Sequence, residues 1–432
     1  MSALLLRQVK IVDPGGPHHD RTTDIRVEHG RIARIGDRIP KGGAVEVHRD
    51  GLCASPGWVD LRAHFRDPGE EWKQGIANGL DAAAAGGYTA VAVLPSTTPA
   101  TDGRAAIEYM LRKATGHPVA LLPLGAITKG LAGQELAELH DQRLAGAVAF
   151  SDDQHTIRNS RLMLLALQYV QGLPAPTAPV MVFPNDPDLG VRGMMHEGPM
   201  STRLGLRGLP AMAEHIQLAR DLALLEYAGG HLHAATVSTR ESVELVRRAK
   251  AAKLRVTASV AAHHLLLDDG CLRGFETAYK VMPPLRDRAH IDALREGVKD
   301  GTIDVIVSDH RPEDREHKVV EFGQAAFGII GLETAFAVAN TAMKAHLGMA
   351  RLVHRFTHGP RAVLGLPRVH IAEAGRAEIT LFDPEVDWTC TEHDLVSRSH
   401  NTPFIGQPLT GRPIGIVAGD ELRLAPHAAP HI

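Results

Sequence analysis

The stretch that decides the fold is Ser55-Pro56-Gly57-Trp58-Val59-Asp60-Leu61-Arg62-Ala63-His64-Phe65-Arg66-Asp67-Pro68-Gly69. The run from Gly57 to Leu61 reads as a β-strand, and Arg62-Ala63-His64 stands at its C-terminal end. Residues two apart on a strand point the same way, so Arg62 and His64 share a side. Two imidazoles at that spacing converge on one metal ion. Here only His64 is an imidazole, and position 62 carries a guanidinium. Arginine keeps its proton at any ordinary pH and has no lone pair to give a metal.

Seven more β-rich runs lie further along: Thr89 to Leu94, Val119 to Pro123, Ala145 to Phe150, Pro179 to Phe183, His231 to Val237, Arg255 to Val260 and Thr302 to Ser308. Helical stretches lie between them, for example Pro210 to Ala228 and Thr239 to Ala252. Alternating strand and helix implies a parallel sheet, and eight units imply a closed (β/α)8 TIM-type barrel over residues 55–366. In such a barrel the chemistry sits at the C-terminal ends of the strands. The flanking segments have another texture. Residues 1–54 carry short strands at Val9 to Val12, Asp24 to Glu28 and Arg31 to Ile35, punctuated by Gly15-Gly16 and Gly30. Residues 367–432 carry short strands at Ala377 to Phe382 and Pro413 to Val417, with turns expected at Gly411-Arg412-Pro413 and Gly419-Asp420. The two ends are expected to pair into one small β-sandwich.

Composition narrows the function classes. The chain has 432 residues, 44% hydrophobic and 22% charged, ordinary for a globular protein. A net charge of -3 gives no reason to expect nucleic acid or an anionic membrane as partner. Cys53, Cys271 and Cys390 are too few and too scattered for a disulfide framework or a cysteine zinc site. The opening Met1 to Arg7 does not read as a secretory signal, and no apolar stretch approaches spanning length. The expectation is a cytoplasmic protein.

Several segments together resemble dihydroorotase of the bacterial class I type, a family of the amidohydrolase superfamily. They are Pro56 to Gly69, Ala83-Ala84-Ala85-Gly86-Gly87-Tyr88-Thr89, Phe150-Ser151-Asp152-Asp153, Met195-His196-Glu197-Gly198, and Leu204-Gly205-Leu206 through Ala213-Glu214. Further along come Val237-Ser238-Thr239, His263-His264-Leu265-Leu266-Leu267, Pro283-Pro284-Leu285-Arg286, Phe327 to Glu333, and Asn401-Thr402-Pro403-Phe404. The resemblance runs in order over nearly the whole chain.

The resemblance implies a zinc site made of two His on strand one, a carboxylate after strand four, two more His on strands five and six, and an Asp on strand eight. Position by position, the first His is Arg62 and the second is His64. The carboxylate is Asp152 or Asp153. The third His position reads Phe183, the fourth reads Thr236, and the strand-eight Asp is Asp309, which in active relatives is also the general acid/base. Three of four imidazoles are replaced. A binuclear centre needs several lone-pair donors per ion, so no cofactor is expected here. Arg62 near Asp309 and Asp152 would instead offset their charge.

The substrate contacts implied by the resemblance change too. Arg66 is kept where active relatives hold the substrate carboxylate. The family Asn in Pro-Asn-Thr is Ser96, and the Asn before Pro-Pro-Leu-Arg is Met282. The frame Thr-Asp-His-Ala-Pro-His reads Ser308-Asp309-His310-Arg311-Pro312-Glu313, with Lys318 at the expected spacing. A negative Glu313 thus faces the place of an anionic substrate. The retained residues also have structural explanations: His64 as a hydrogen-bonded core residue, His263-His264 as packing beside a Leu run, His310 as a structural residue, Arg66 in an internal salt bridge, Asp152, Asp153 and Asp309 as paired carboxylates. His233 is expected to face away from the Thr236 side by alternation.

No catalytic residue and no metal ligand is therefore expected, and Arg62, His64, Arg66, Asp152, Asp153, Phe183, Thr236 and Asp309 are vestigial positions. The loss pattern is similar to that of non-catalytic dihydroorotase-like chains that bind the catalytic chain of aspartate carbamoyltransferase in pyrimidine biosynthesis. The implied partner is that chain, with a homodimer of the present one inside a larger hetero-oligomer. The alternative is a divergent amidohydrolase acting on a cyclic amide, with a weak mononuclear metal on His64, Asp152 and Asp309. A hydantoinase-like site needs a carboxylated lysine after strand four, and no Lys lies at Phe150 to Asp153.

Overall fold

The computed structural model describes residues 3–176 and 178–428. Eight strands form the barrel: β1 (Trp58–Ala63), β2 (Tyr88–Val93), β3 (Ala120–Gly125), β4 (Ala149–Ser151), β5 (Val180–Val182), β6 (Leu232–Ala234), β7 (Val256–Ala261) and β8 (Val305–Val307). Each pairs in parallel with the next in chain order. Closure comes just past the last strand. Ala63 bridges His310 in parallel, and the His64 N–H donates to the His310 carbonyl at 2.7 Å.

Period-two alternation sorts the strand residues. Ala90, Ala92, Leu94, Leu124, Ala149, Met181, Ala261, Val305 and Val307 cluster with one another inside the barrel. Val91, Val93, Phe150, Val180 and Leu232 belong to the larger cluster that carries the helices. Strand β1 has an exception that makes the site. Asp60 pairs with Val91 but Ala63 pairs with Val93, so β1 carries one extra residue, a β-bulge. Before the bulge Val59 and Leu61 belong to the inner cluster; after it Ala63 belongs to the outer one. The bulge exchanges the faces and turns Arg62 and His64 inward. Asp60 holds it, accepting from Ser308 N–H and Oγ, both at 2.8 Å, and from Arg62 N–H at 3.2 Å.

The chain ends meet as expected. Five N-terminal strands (Leu4–Ile11, Thr22–Glu28, Arg31–Gly36, Val45–His48, Cys53–Pro56) and three C-terminal ones (Glu378–Thr389, Pro408–Ala418, Glu421–Leu424) form one eight-stranded sheet. Cys53–Pro56 joins the halves by pairing antiparallel with Glu378–Thr389. The sheet has its own apolar core, running from Leu6, Ile11 and Ile25 to Ile379, Ile414 and Val417. Trp58 ties it to the barrel, with its N–H donating to Thr380 Oγ1 at 3.0 Å and its ring packed on Phe336, Phe356 and Phe382.

Boundaries differ in places. Ala145 ends the helix Leu139–Ala145, and β4 starts only at Ala149. Gly411-Arg412-Pro413 is not a turn. It lies within the strand Pro408–Ala418, where the register against Glu378–Thr389 shifts. Gly411 takes φ 85° there, a bulge that leaves no room for a side chain against the Asn340 amide. Among the described residues, no helix is long and apolar enough to cross a membrane.

Candidate functional site

The C-terminal ends of β1, β4, β5 and β8 bring Arg62, Asp153, Phe183 and Asp309 together. Arg62 is 2% exposed. Its Nη2 donates to Asp153 Oδ1 at 2.7 Å and its Nε to Asp309 Oδ1 at 2.7 Å. The guanidinium carbon lies 5.3 Å from the centre of the Phe183 ring, a cation–π distance. A second cation, Arg311, reaches the other oxygen of Asp153. Two guanidiniums thus face two carboxylates, and the cluster is charge-balanced without an ion.

Titration follows from this layout. Burial pushes Asp153 up, but Arg311 and Arg62 outweigh it and hold the carboxyl well below its usual range. Asp309 goes the other way: burial dominates and raises it, with Arg62 only partly offsetting. Burial also works against the charge of Arg62, and Asp153 and Asp309 more than restore it.

His64 is fully engaged. Its Nε2 lies 2.7 Å from the Ser96 carbonyl, and its Nδ1 accepts the Arg66 N–H at 3.0 Å. Nε2 must carry the proton for both bonds to form. Burial and the neighbouring Arg66 and Arg311 charges keep the ring neutral, its pKa well below the ordinary value. Ser96 completes the stitch, its Oγ donating to Asp153 Oδ2 at 2.6 Å.

The two adjacent carboxylates separate. Asp153 enters the mouth and Asp152 does not, so the carboxylate beside Arg62 is Asp153 and not the expected Asp152. Asp152 Oδ1 accepts the N–H groups of Ile127 and Thr128 at 2.8 and 3.0 Å, and Oδ2 accepts the Thr128 hydroxyl. It closes the loop after β3. Thr236 donates its hydroxyl to its neighbour's carbonyl, Ala235 O, at 2.8 Å. His233 corrects the alternation argument. It sits inside the barrel, bonded to Thr257 Oγ1 at 2.9 Å and Ser259 Oγ at 3.1 Å, and Ser259 Oγ also accepts the Thr236 N–H. β6 ends at Ala234 and Thr236 has φ 56°, so period-two counting stops before Thr236. Burial lowers the His233 pKa to about 3.

Beside this cluster a second one neutralises itself. Arg66 pairs with Glu70 at 2.8 Å and with Glu313, and its Nε donates to the Pro312 carbonyl at 3.1 Å. Lys73 pairs with Glu70 at 2.6 Å and Glu313 at 2.8 Å. Lys318 staples a loop: its ammonium donates to the carbonyls of Ala326 at 2.9 Å and Gly328 at 3.0 Å, and burial brings its pKa down to about 7. His310 is wholly buried, its Nδ1 accepting the Gly331 N–H at 3.2 Å. His263 and His264 are buried as well, and His264 Nε2 lies 3.0 Å from the Pro283 carbonyl.

Sequence reasoning missed Arg311 and Lys73. The signal for Arg311 was present: a cation two residues past Asp309, where the resembling frame has alanine. Lys73 gave none, because its partners Glu70 and Glu313 are brought to it only by the closed barrel.

The donor set does not fit a binuclear zinc centre. Arg62 and Phe183 offer no lone pair. Both nitrogens of His64 and both oxygens of Asp152 are taken. Asp153 and Asp309 face guanidiniums, which repel a divalent cation. Yet the backbone has an uncommon form here. Arg66, Asp153, Thr236 and Asp309 have φ of 60°, 50°, 56° and 48°, the left-handed region that costs a non-glycine residue of order 1 kcal/mol or more. Strain of this kind gathers at functional sites.

Comparison with known proteins agrees with the fold. A family model described as dihydro-orotase-like matches residues 52–242. A dihydroorotase of Syntrophotalea carbinolica is 41% identical, covering 95% of this chain and 96% of its own. One of Pelotomaculum thermopropionicum is 42% identical, covering 96% and 97%. Among solved structures, an L-hydantoinase (dihydropyrimidinase) from Arthrobacter aurescens superposes with a TM-score of 0.84 at 22% identity, over 99% of this chain and 97% of its own. With identity of this level along nearly its full length, the chain belongs to the dihydroorotase-like family of the amidohydrolase superfamily.

Proposed function

We propose that this chain is a non-catalytic dihydroorotase-like protein that assembles with the catalytic chain of aspartate carbamoyltransferase and supports it in pyrimidine biosynthesis. One observation carries the non-catalytic half: the Arg62 guanidinium bridges Asp153 and Asp309 at 2.7 Å each. A positive side chain occupies the space between the carboxylates that hydrolysis needs free, so Asp309 cannot serve as a general base toward a metal-activated water. Arg66, tied to Glu313 and Glu70, has no unshared charge for a substrate carboxylate. The partner half is supported by the resemblance and by an intact scaffold. The barrel closes and the terminal sheet pairs although the mouth is rebuilt, which fits a protein selected for its outer surface. On this reading Arg62, His64, Arg66, Asp152, Asp153, Phe183, Thr236 and Asp309 are structural residues, and the chain works in the cytoplasm as a homodimer within a hetero-oligomer.

A second reading is a divergent cyclic amidase with a mononuclear metal. The left-handed backbone kept at Asp153, Thr236 and Asp309 favours it, as does the name dihydroorotase on relatives about as similar as 41%. Two experiments decide. Co-expression with an aspartate carbamoyltransferase catalytic chain is expected to give one large complex on a sizing column; separate elution at micromolar concentration overturns the partner half. Assay with dihydroorotate and added zinc is expected to show no turnover. Hydrolysis that disappears in Asp309→Asn establishes the second reading instead.

A further inference from the structure

A second cluster of donors lies away from the barrel mouth, where the terminal sheet meets the barrel. Asp13, His358 and His370 bring one ligand atom each within 4.8 Å of one another. They come from three separate segments. Asp13 follows the first strand of the terminal sheet, His358 opens the helix His358–Leu364 after β8, and His370 lies on the chain that re-enters the sheet.

The local chemistry is unfinished. Asp13 is 0% exposed, and its only ion-pair partners among the described residues are these two imidazoles. Its Oδ2 is fixed by the Ile371 N–H at 2.8 Å, which leaves Oδ1 for the cluster. His370 Nδ1 lies 3.0 Å from Oδ1. His358 Nε2 lies 3.5 Å from the same oxygen and makes no hydrogen bond. Neither ring nitrogen of His358 makes a hydrogen bond, although the residue is only 6% exposed; its one polar contact is the 3.5 Å approach of Nε2 to Asp13 Oδ1. A buried polar atom left without a hydrogen bond is costly, so its retention calls for a reason.

The spacing supplies one. In a tetrahedral zinc site with bonds of about 2.0–2.1 Å, ligand atoms stand about 3.3 Å apart. The two separations from Asp13 Oδ1, 3.0 and 3.5 Å, bracket that value. Two imidazoles and a carboxylate also suit zinc-class ions. The Ile371 N–H already provides the outer-shell contact that orients the carboxylate. A comparably compact trio, His196, Asp287 and His290, lacks this character. There His196 Nδ1 faces the Arg286 guanidinium at 3.1 Å, and His290 Nδ1 accepts the Arg240 N–H at 2.9 Å.

We propose that Asp13, His358 and His370 bind one zinc-class divalent cation that clips the terminal sheet to the barrel, with water in the fourth position. The site is independent of the barrel mouth and of whether the mouth hydrolyses anything. Its role is structural: the ion ties residues 357 positions apart in the chain, and binding only the folded form raises the folded population.

The test uses the full chain, stripped with a chelator and dialysed. Zinc is titrated by calorimetry, and cobalt is used as a probe because tetrahedral cobalt gives strong visible bands. The expected result is one ion per chain, tetrahedral cobalt bands, and a Tm that climbs with each tenfold rise in free zinc. His370→Ala, at a partly exposed position, and His358→Gln should fold and lose all three signals; Asp309→Asn should keep them. No saturable binding at micromolar zinc overturns the proposal. So does binding that survives both histidine substitutions, or binding that vanishes in Asp309→Asn while persisting in His370→Ala, which puts the ion at the mouth.

Discussion

The guanidinium of Arg62 and the carboxylate of Asp153 meet at 2.7 Å in a space closed to solvent, with side chains 2% and 1% exposed. Both charges were taken out of water to make this contact, so each depends on the other. Arg62→Met removes this cation, leaving Asp153 with Arg311 alone and Asp309 without its guanidinium partner. Losing one partner of a buried pair costs about 3–5 kcal/mol. Urea denaturation should show a loss in that range. Adding Asp309→Asn to Arg62→Met should recover part of it, because the carboxylate left without a guanidinium is then gone.

This contact was legible in the sequence in outline. A guanidinium in the frame of Asp60 to His64 already implied carboxylates near it, and the eight β-rich runs already implied a closed barrel. Other features were not legible, for physical reasons. Asp152 and Asp153 are adjacent and identical; only the φ of 50° at Asp153, held by its N–H on Ser151 Oγ, sends one inward and the other to Thr128. His233 was misassigned because alternation holds only while the strand lasts. Val45–His48, Cys53–Pro56 and Glu421–Leu424 are four residues each, too short to carry a pattern, and they exist because neighbouring strands offer free edges.

Arg66 gives a prediction about anions. Glu313 sits against it and is shared with Lys73, so the local charge is already balanced. Wild type should show no saturable uptake of dihydroorotate at millimolar concentration in calorimetry. Glu313→Gln leaves Arg66 and Lys73 with Glu70 alone, one net positive charge at the mouth. That variant should bind small carboxylates measurably, and added salt should weaken the binding.

The buried imidazoles set an acid limit on stability. Burial lowers His233, His263, His264 and His310 to about 3, from 6.5 when free. Below pH 6.5 the unfolded chain takes up these protons and the folded chain does not, so stability falls with pH through the window from 6.5 down to about 3. Each such proton contributes up to about 1.4 kcal/mol per pH unit. Asp153, whose folded pKa is depressed, adds its own loss only below about pH 4, where the unfolded carboxyl protonates. Urea midpoints measured between pH 7.5 and 5 should fall steadily, and His263→Gln should flatten the slope by one proton's share.

Placing histidines at the three positions where the resemblance implies them should not by itself create a metal centre. The variant Arg62→His/Phe183→His/Thr236→His supplies the nitrogen donors but keeps Arg311 on Asp153. A divalent cation roughly 5 Å from that guanidinium meets a repulsion of about 7 kcal/mol at an effective dielectric of about 20. That is enough to cancel much of what the new ligands contribute. His64 also stays committed to Ser96 O and Arg66 N–H. The triple variant should therefore hold no more zinc than the parent and should not hydrolyse dihydroorotate. Adding Arg311→Ala frees the second oxygen of Asp153 and removes the opposing charge, so extra zinc should appear only in the quadruple variant. Elemental analysis of all three proteins checks the order. Extra zinc in the triple variant would mean that Arg62 alone kept the ion out.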